Sequence, residues 1–181
     1  MFKPMTLVLV SIAVLLGGVV YLAERRTASQ TQAEQAGQEL FDFQEEQVQS
    51  FSIRTEDQSL TFEKVGDTWQ LIDPENTRAN DASVAYLLNL MATGSIERTL
   101  TADPKERPEF GLDLPLANID VRLENQETHS LILGDYDFSR NFLYAQTNPS
   151  INNKGEIEVL LVSPEFENAV DRSLSEWKGE E

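Results

Sequence analysis

Any chemistry in this chain would have to be assembled from few groups. His129 is the only histidine among 181 residues, and there is no cysteine. An acyl-transfer triad needs a serine, this imidazole and an orienting carboxylate brought together by the fold. No Gly-x-Ser-x-Gly elbow is present to hold the serine. The favoured reading of His129 is an exposed residue at a strand end, beside a turn and next to Ser130. Asp135 and Asp137 flank Tyr136 just after Gly134. Alternate acids on a loop suit calcium, which takes roughly six to eight oxygens. The further acids, glycine and closing glutamate of a calcium loop are absent, so a solvated turn is the favoured reading. A single histidine without cysteine offers no zinc or iron ligand set. No glycine-rich phosphate loop is present, and 31 acids make any one carboxylate pair uninformative. The sequence therefore assigns no catalytic, cofactor-binding or metal-ligating residue and implies no cofactor.

Three further features bear on function. Gly111-Leu112-Asp113 reads as a turn, with glycine supplying positive φ and aspartate bonding nearby backbone. Phe110 and Leu112 on either side of that glycine read as plugs over a sheet. Trp69 and Trp177 read as core or rim aromatics, with a docking anchor as the alternative for Trp177.

The elements that would carry these residues are mostly strands. Phe51 and Ile53, then Leu60 and Phe62, then Trp69 and Leu71 alternate with polar residues, which puts one set of side chains on a core. Gly66-Asp67 marks a hairpin turn. A helix follows, capped by Asn80 or Asp81, with Val84, Leu87, Leu88 and Met91 on one stripe and Gly94 at its end. Residues 102–115 hold Pro104, Pro108, Gly111 and Pro115, which resist regular structure and divide the domain. Strand patterns return around Ile119, Leu131, Tyr144 and Val159. Ser163-Pro164-Glu165 then opens a second amphipathic helix bearing Phe166, Ala169, Val170, Ser173, Leu174 and Trp177.

The expected fold class is α+β: an N-terminal transmembrane helix followed by a β-rich domain of two β-β-β-α units with two amphipathic helices. The division is 1–26 membrane anchor with flanks, 27–39 spacer, and 40–178 acidic domain. Its halves are about 40–101 and 116–178, with the connector at 102–115.

The anchor rests on residues 5–22, which carry no charged side chain. Eighteen helical residues rise about 27 Å, close to the ~30 Å hydrocarbon core of a bilayer. A cleavable signal peptide competes, but Tyr21 sits where its cleavage site needs a small residue, so a retained anchor is favoured. Lys3 precedes the helix and Arg25 and Arg26 follow it; that count alone favours a cytosolic domain. The formal charge is −17, a surface that repels nucleic acid and anionic lipid heads.

The order of signals also resembles a known family. It runs from the membrane helix through Phe41-Asp42-Phe43, the hairpin Glu63-Lys64-x-Gly66-Asp67-x-Trp69-x-Leu71, Pro74, and Ala79-Asn80-Asp81 with a leucine stripe. It continues through Glu109-Phe110-Gly111-Leu112-Asp113-x-Pro115 and Leu131-x-Leu133-Gly134 to a strand bearing Tyr144. Over most of residues 40–172 this resembles the domain of unknown function 4340 family of bacterial envelope proteins, and the Glu109–Pro115 segment is the most distinctive part. The resemblance implies a single-pass cell-membrane protein with its domain on the extracytoplasmic side, against the basic-residue count. It also implies no established enzymatic activity and, in some members, companionship with ABC-type export systems.

The functional expectation is an accessory or protein-interaction subunit. It would contact the lipid bilayer through residues 5–22 and a membrane-protein partner through its domain, without nucleic acid or metal. The alternative is an envelope ligand-binding or hydrolytic protein, which needs a pocket with convergent polar groups.

Overall fold

The computed structural model describes residues 37–149 and 155–179. The anchor at residues 5–22, its flanks to residue 26 and the spacer to residue 36 lie outside the described residues. Among those described, no helix is long and apolar enough to cross a membrane.

The described chain opens with β1 (Gln38–Glu39) and a 3-10 turn at Glu45–Gln47. There follow β2 (Val48–Arg54), β3 (Ser59–Val65), β4 (Thr68–Asp73), β5 (Thr77–Arg78), helix α1 (Asp81–Thr93), β6 (Ser95–Ile96) and β7 (Arg98–Ala102). A 3-10 segment at Pro104–Phe110 leads to β8 (Ala117–Leu123), β9 (Thr128–Tyr136), β10 (Leu143–Thr147) and β11 (Ile157–Val162). Helix α2 (Glu165–Val170) and a 3-10 turn at Leu174–Trp177 follow.

The expected α+β arrangement of two β-β-β-α units is overturned. The domain is dominated by one nine-stranded sheet in the order β5-β4-β3-β2-β8-β9-β10-β11-β7, beside a two-stranded ribbon of β1 and β6. Every pairing is antiparallel. The halves are not separate units. β2 pairs with β8 along its length, and β7, which leaves the first half after α1, pairs with β11 at the far end of the second. Gln38 and Glu39, read as spacer, pair with Ile96 and Ser95.

One helix forms as its sequence dictates. The Asn80 side chain accepts hydrogen bonds from the backbone N–H of Ala82 and Ser83, at 3.0 and 3.3 Å. Val84, Leu87, Leu88 and Met91 are fully buried against the sheet. Gly94 ends α1 in an extended rather than left-handed conformation. Its requirement is space, because a Cβ there would lie 2.3 Å from the Leu90 carbonyl oxygen.

The second helix is six residues long and stops at Asp171, short of the stripe that extends to Trp177. Ser173 begins a new turn instead. Its backbone N–H and hydroxyl both donate to the Glu176 carboxylate, at 2.9 and 2.8 Å, which closes a reciprocal capping box over Leu174–Trp177.

The two faces of the sheet are covered differently. Phe51, Ile53, Phe62, Leu71, Ile119 and Leu131 belong to the main core, which the helices cover. On the other face, Ile157, Val159 and Ala102 form a smaller cluster with Leu112, and Leu100, Phe110, Ile132 and Tyr144 pack around it.

Candidate functional site

His129 lies on β9 opposite Val121, with its ring toward the main core side of the sheet. The imidazole packs against Phe41 at 5.3 Å and Phe43 at 5.2 Å between ring centroids. Both ring nitrogens are buried without a hydrogen-bond partner among the described residues. His129 thus lies at a strand end, as read, but is half-buried rather than exposed: Phe41 and Phe43 pack over its imidazole.

Ser130 follows His129 on the strand and therefore points to the opposite face. Its hydroxyl donates to Asp120 Oδ1 at 2.6 Å, and Arg54 Nη2 donates to Asp120 Oδ2 at 3.0 Å. The serine and its carboxylate are thus separated by the sheet from the imidazole. Among the described residues the three do not assemble into a triad.

Asp135 and Asp137 do different work. Asp137 organises the β9–β10 turn. Its Oδ1 accepts from the backbone N–H of Asn141 and Phe142, both at 2.9 Å, and its Oδ2 accepts from the Ser139 hydroxyl at 2.6 Å. The Ser139 hydroxyl and then these backbone donors hold its carboxyl below the ordinary value. Asp135 instead backs Gly111, where a Cβ would lie 2.5 Å from the Asp135 Cγ. Among the described residues no group of three or more acids or histidine could hold a metal ion. Between the two acids, the Tyr136 hydroxyl donates to Glu167 on α2. That hydrogen bond, with burial and the carboxylate charge behind it, raises the phenol above its ordinary value.

The connector is held by Arg107. Its Nε donates to Asp113 Oδ1 at 3.0 Å, its Nη2 to the Leu112 carbonyl at 2.9 Å and its Nη1 to the buried Gln146 side chain. Gly111 turns the chain at φ +68°, and Gly134 lets β9 approach so closely that a Cβ would lie 2.1 Å from the Phe110 carbonyl oxygen. Leu112 is buried in the outer cluster, and Phe110 packs on Tyr144 at 5.0 Å. Both residues plug the outer face, as their sequence suggests. Nothing local in the sequence marks Arg107 or Gln146, because the guanidinium reaches a strand distant in the chain.

Trp177 is fully buried, with its ring 5.2 Å from Phe62, so it is a core residue and not an exposed docking anchor. Arg172 lies over Tyr86 and Trp177 and donates to the Ser83 hydroxyl at 3.3 Å. Beside it runs an open trough of about 580 Å³ between the β2–β3 turn, the end of the connector and the loop after α2. Glu56, Asp57, Asp135 and Asp171 line it with Leu114, which is 92% exposed. Phe138, at the tip of the β9–β10 turn, is 103% exposed.

The two ends of the sheet are finished differently. At β5 the chain's own C-terminal segment continues the pairing. Ala79 bridges to Lys178, the Asn80 N–H donates to the Trp177 carbonyl at 2.8 Å, and the Gly179 N–H donates to the Arg78 carbonyl at 2.9 Å. At the opposite end, β7 pairs with β11 on one side, and among the described residues no strand pairs with the other.

A family model described as Domain of unknown function (DUF4340) matches residues 69–180. No curated protein and no solved structure matches the chain. The match takes in α1, the Arg107 connector, both ends of the sheet and Trp177. It begins at Trp69, later than the resemblance read from the motifs, and so leaves out Phe41-Asp42-Phe43. With well over half of its residues inside the match, the chain belongs to the DUF4340 family.

Proposed function

We propose that this chain is an accessory or interaction subunit of the cell membrane. Residues 5–22 anchor it, the acidic domain stands on the extracytoplasmic side, and the domain binds a membrane-protein partner of the kind found in ABC-type export systems. The observation that supports this reading is the unequal finish of the sheet. An edge strand with free backbone groups is a template for another chain, and folded proteins ordinarily cover or blunt it. Here the β5 end is covered by the chain's own C-terminal segment, while β7 is left uncovered among the described residues. Among the described residues His129 lies on the face of the sheet opposite the Ser130–Asp120 pair, and Asp137 is committed to its turn.

The test is a mild-detergent pull-down of the tagged full-length chain, with partners identified by mass spectrometry. The control is the same chain lacking residues 1–26. A stoichiometric membrane partner that survives in the truncated control assigns the binding to the domain. A partner lost with residues 1–26 assigns it to the helix. A partner-free preparation overturns the reading and turns attention to small-molecule screening of the acidic trough. Protease added to intact spheroplasts checks the side: digestion of the domain is expected, and protection would place it in the cytosol.

A further inference from the structure

β7 reads Arg98-Thr99-Leu100-Thr101-Ala102, contains no proline, and pairs with β11 without a register shift. In an antiparallel ladder, alternate residues turn both their N–H and C=O away from the neighbouring strand. The side of β7 that no described strand pairs therefore offers a regular row of donors and acceptors spaced for an extended chain. Five residues give it a length of about 17 Å. Leu100 and Ala102 extend the outer apolar cluster to this edge, beside Val159 and Ile157. Thr99 and Thr101 alternate with them on the other face.

We infer that β7 accepts an extended strand from a partner protein, one that alternates apolar and basic residues. The inference rests on the interaction reading above. The backbone row selects a peptide in β conformation over a helix or a small molecule. The apolar positions of the incoming strand would continue the cluster beside Leu100. The basic positions would fall on the opposite face, the side of Thr101 and its exposed cross-strand neighbour Glu158. Glu97 and Asp103, at the two ends of β7, add negative charge, against which stands Arg98. A second copy of this chain fits poorly. Antiparallel pairing about Leu100 would set Glu97 against the copy's Asp103 at both ends, and like charges directly opposite destabilise a pair. Each copy also carries a formal charge of −17.

The experiment is hydrogen exchange on the full-length chain in mild detergent, titrated with a soluble peptide of alternating valine and lysine. Alternate amides of β7 should slow about tenfold when the peptide reaches about ten times its dissociation constant. A peptide of alternating valine and glutamate should leave them unchanged. The double variant E97K/E158K should weaken the lysine peptide without altering the fold. Leu100→Pro and Thr101→Pro are made separately, because one of two adjacent positions faces β11 and the other faces outward. The outward substitution should leave the protein folded and abolish binding. The inference is overturned if β7 amides do not respond, if both peptides protect them equally, or if they are already protected without peptide. The last result would mean that another segment of this chain or a second copy occupies the edge. In the pull-down, a folded edge variant that keeps its membrane partner overturns the strand inference and leaves the subunit reading standing. Loss of that partner with the edge variant supports both.

Discussion

The two ends of the sheet solve one problem in opposite ways. At the β5 end, two residues of strand are followed by a helix cap, and the C-terminal segment returns to bond with Arg78, Ala79 and Asn80. That return is fastened by Trp177, buried against Phe62, and by an ion pair between Lys178 and Glu75. At the β7 end there is a longer strand, a plug on one face from Phe110 and Leu112, and an edge that no strand among the described residues pairs. The first end uses contacts distant in sequence to hide backbone. The second uses the connector to cover a face and, among the described residues, leaves the outer backbone of β7 unpaired. This difference separates an end closed by contacts distant in sequence from an end whose outer backbone no described strand pairs, the edge on which the proposed interaction rests.

The closed end should be the more costly to disturb. Trp177→Ala removes the largest fully buried side chain among the described residues and is expected to cost about 3–5 kcal/mol. Chemical denaturation would read that loss, with protection of β4 and β5 amides falling first. An intact β5 end in this variant would break the comparison. Leu112→Ala, at the open end, empties part of a smaller cluster and is expected to cost about 2–4 kcal/mol. Its signature should be faster exchange in β7 and β11 with α1 unaffected. Arg107→Ala strips charged donors from the Leu112 carbonyl and the Gln146 side chain, and about 1–3 kcal/mol is expected from thermal unfolding. Asn80→Ala removes the helix cap beside the closed end and should cost about 1 kcal/mol.

The smallest effect is expected at Asp137, which belongs to neither end. Its carboxyl is held below the ordinary value, so the folded state favours its charged form. The stability it contributes is present above the unfolded value and is lost as pH falls through the lower folded one. An acid titration of Asp137→Asn against the parent should therefore converge at the acid end and separate slightly above it. A gap that persists at low pH would mean that the carboxyl acts by something other than its charge.

Helix α1 and the Phe110–Leu112 plug were legible because their signals are local. An apolar stripe, a side-chain cap and a glycine between two large apolar residues each lie within a few positions. The shortening of α2 was also written locally: Ser173 and Glu176 form a capping signature inside what looks like one continuous stripe. The longer apolar period masked it. Three features were not legible. The destination of β7 depends on pairing across the whole second half, and alternation says which face a strand buries but not which neighbour it takes. The partial burial of His129 depends on Phe41 and Phe43, which meet it only after the sheet has formed. The grip of Arg107 on Gln146 likewise spans elements that no local pattern connects.

The docking of the first described residues has a mechanical consequence. Gly37 bonds to the Ile96 carbonyl, Gln38 and Glu39 pair with β6, Leu40 bonds to the Gly94 carbonyl, and Phe41 and Phe43 clasp His129. A pull applied at Gly37 meets these fastenings in series before it reaches β2. The short ribbon should peel first, the aromatic clasp next, and the nine-stranded sheet last. The clasp thus sits in the load path like a fuse, yielding under tension before the sheet, with its β7 edge, unfolds.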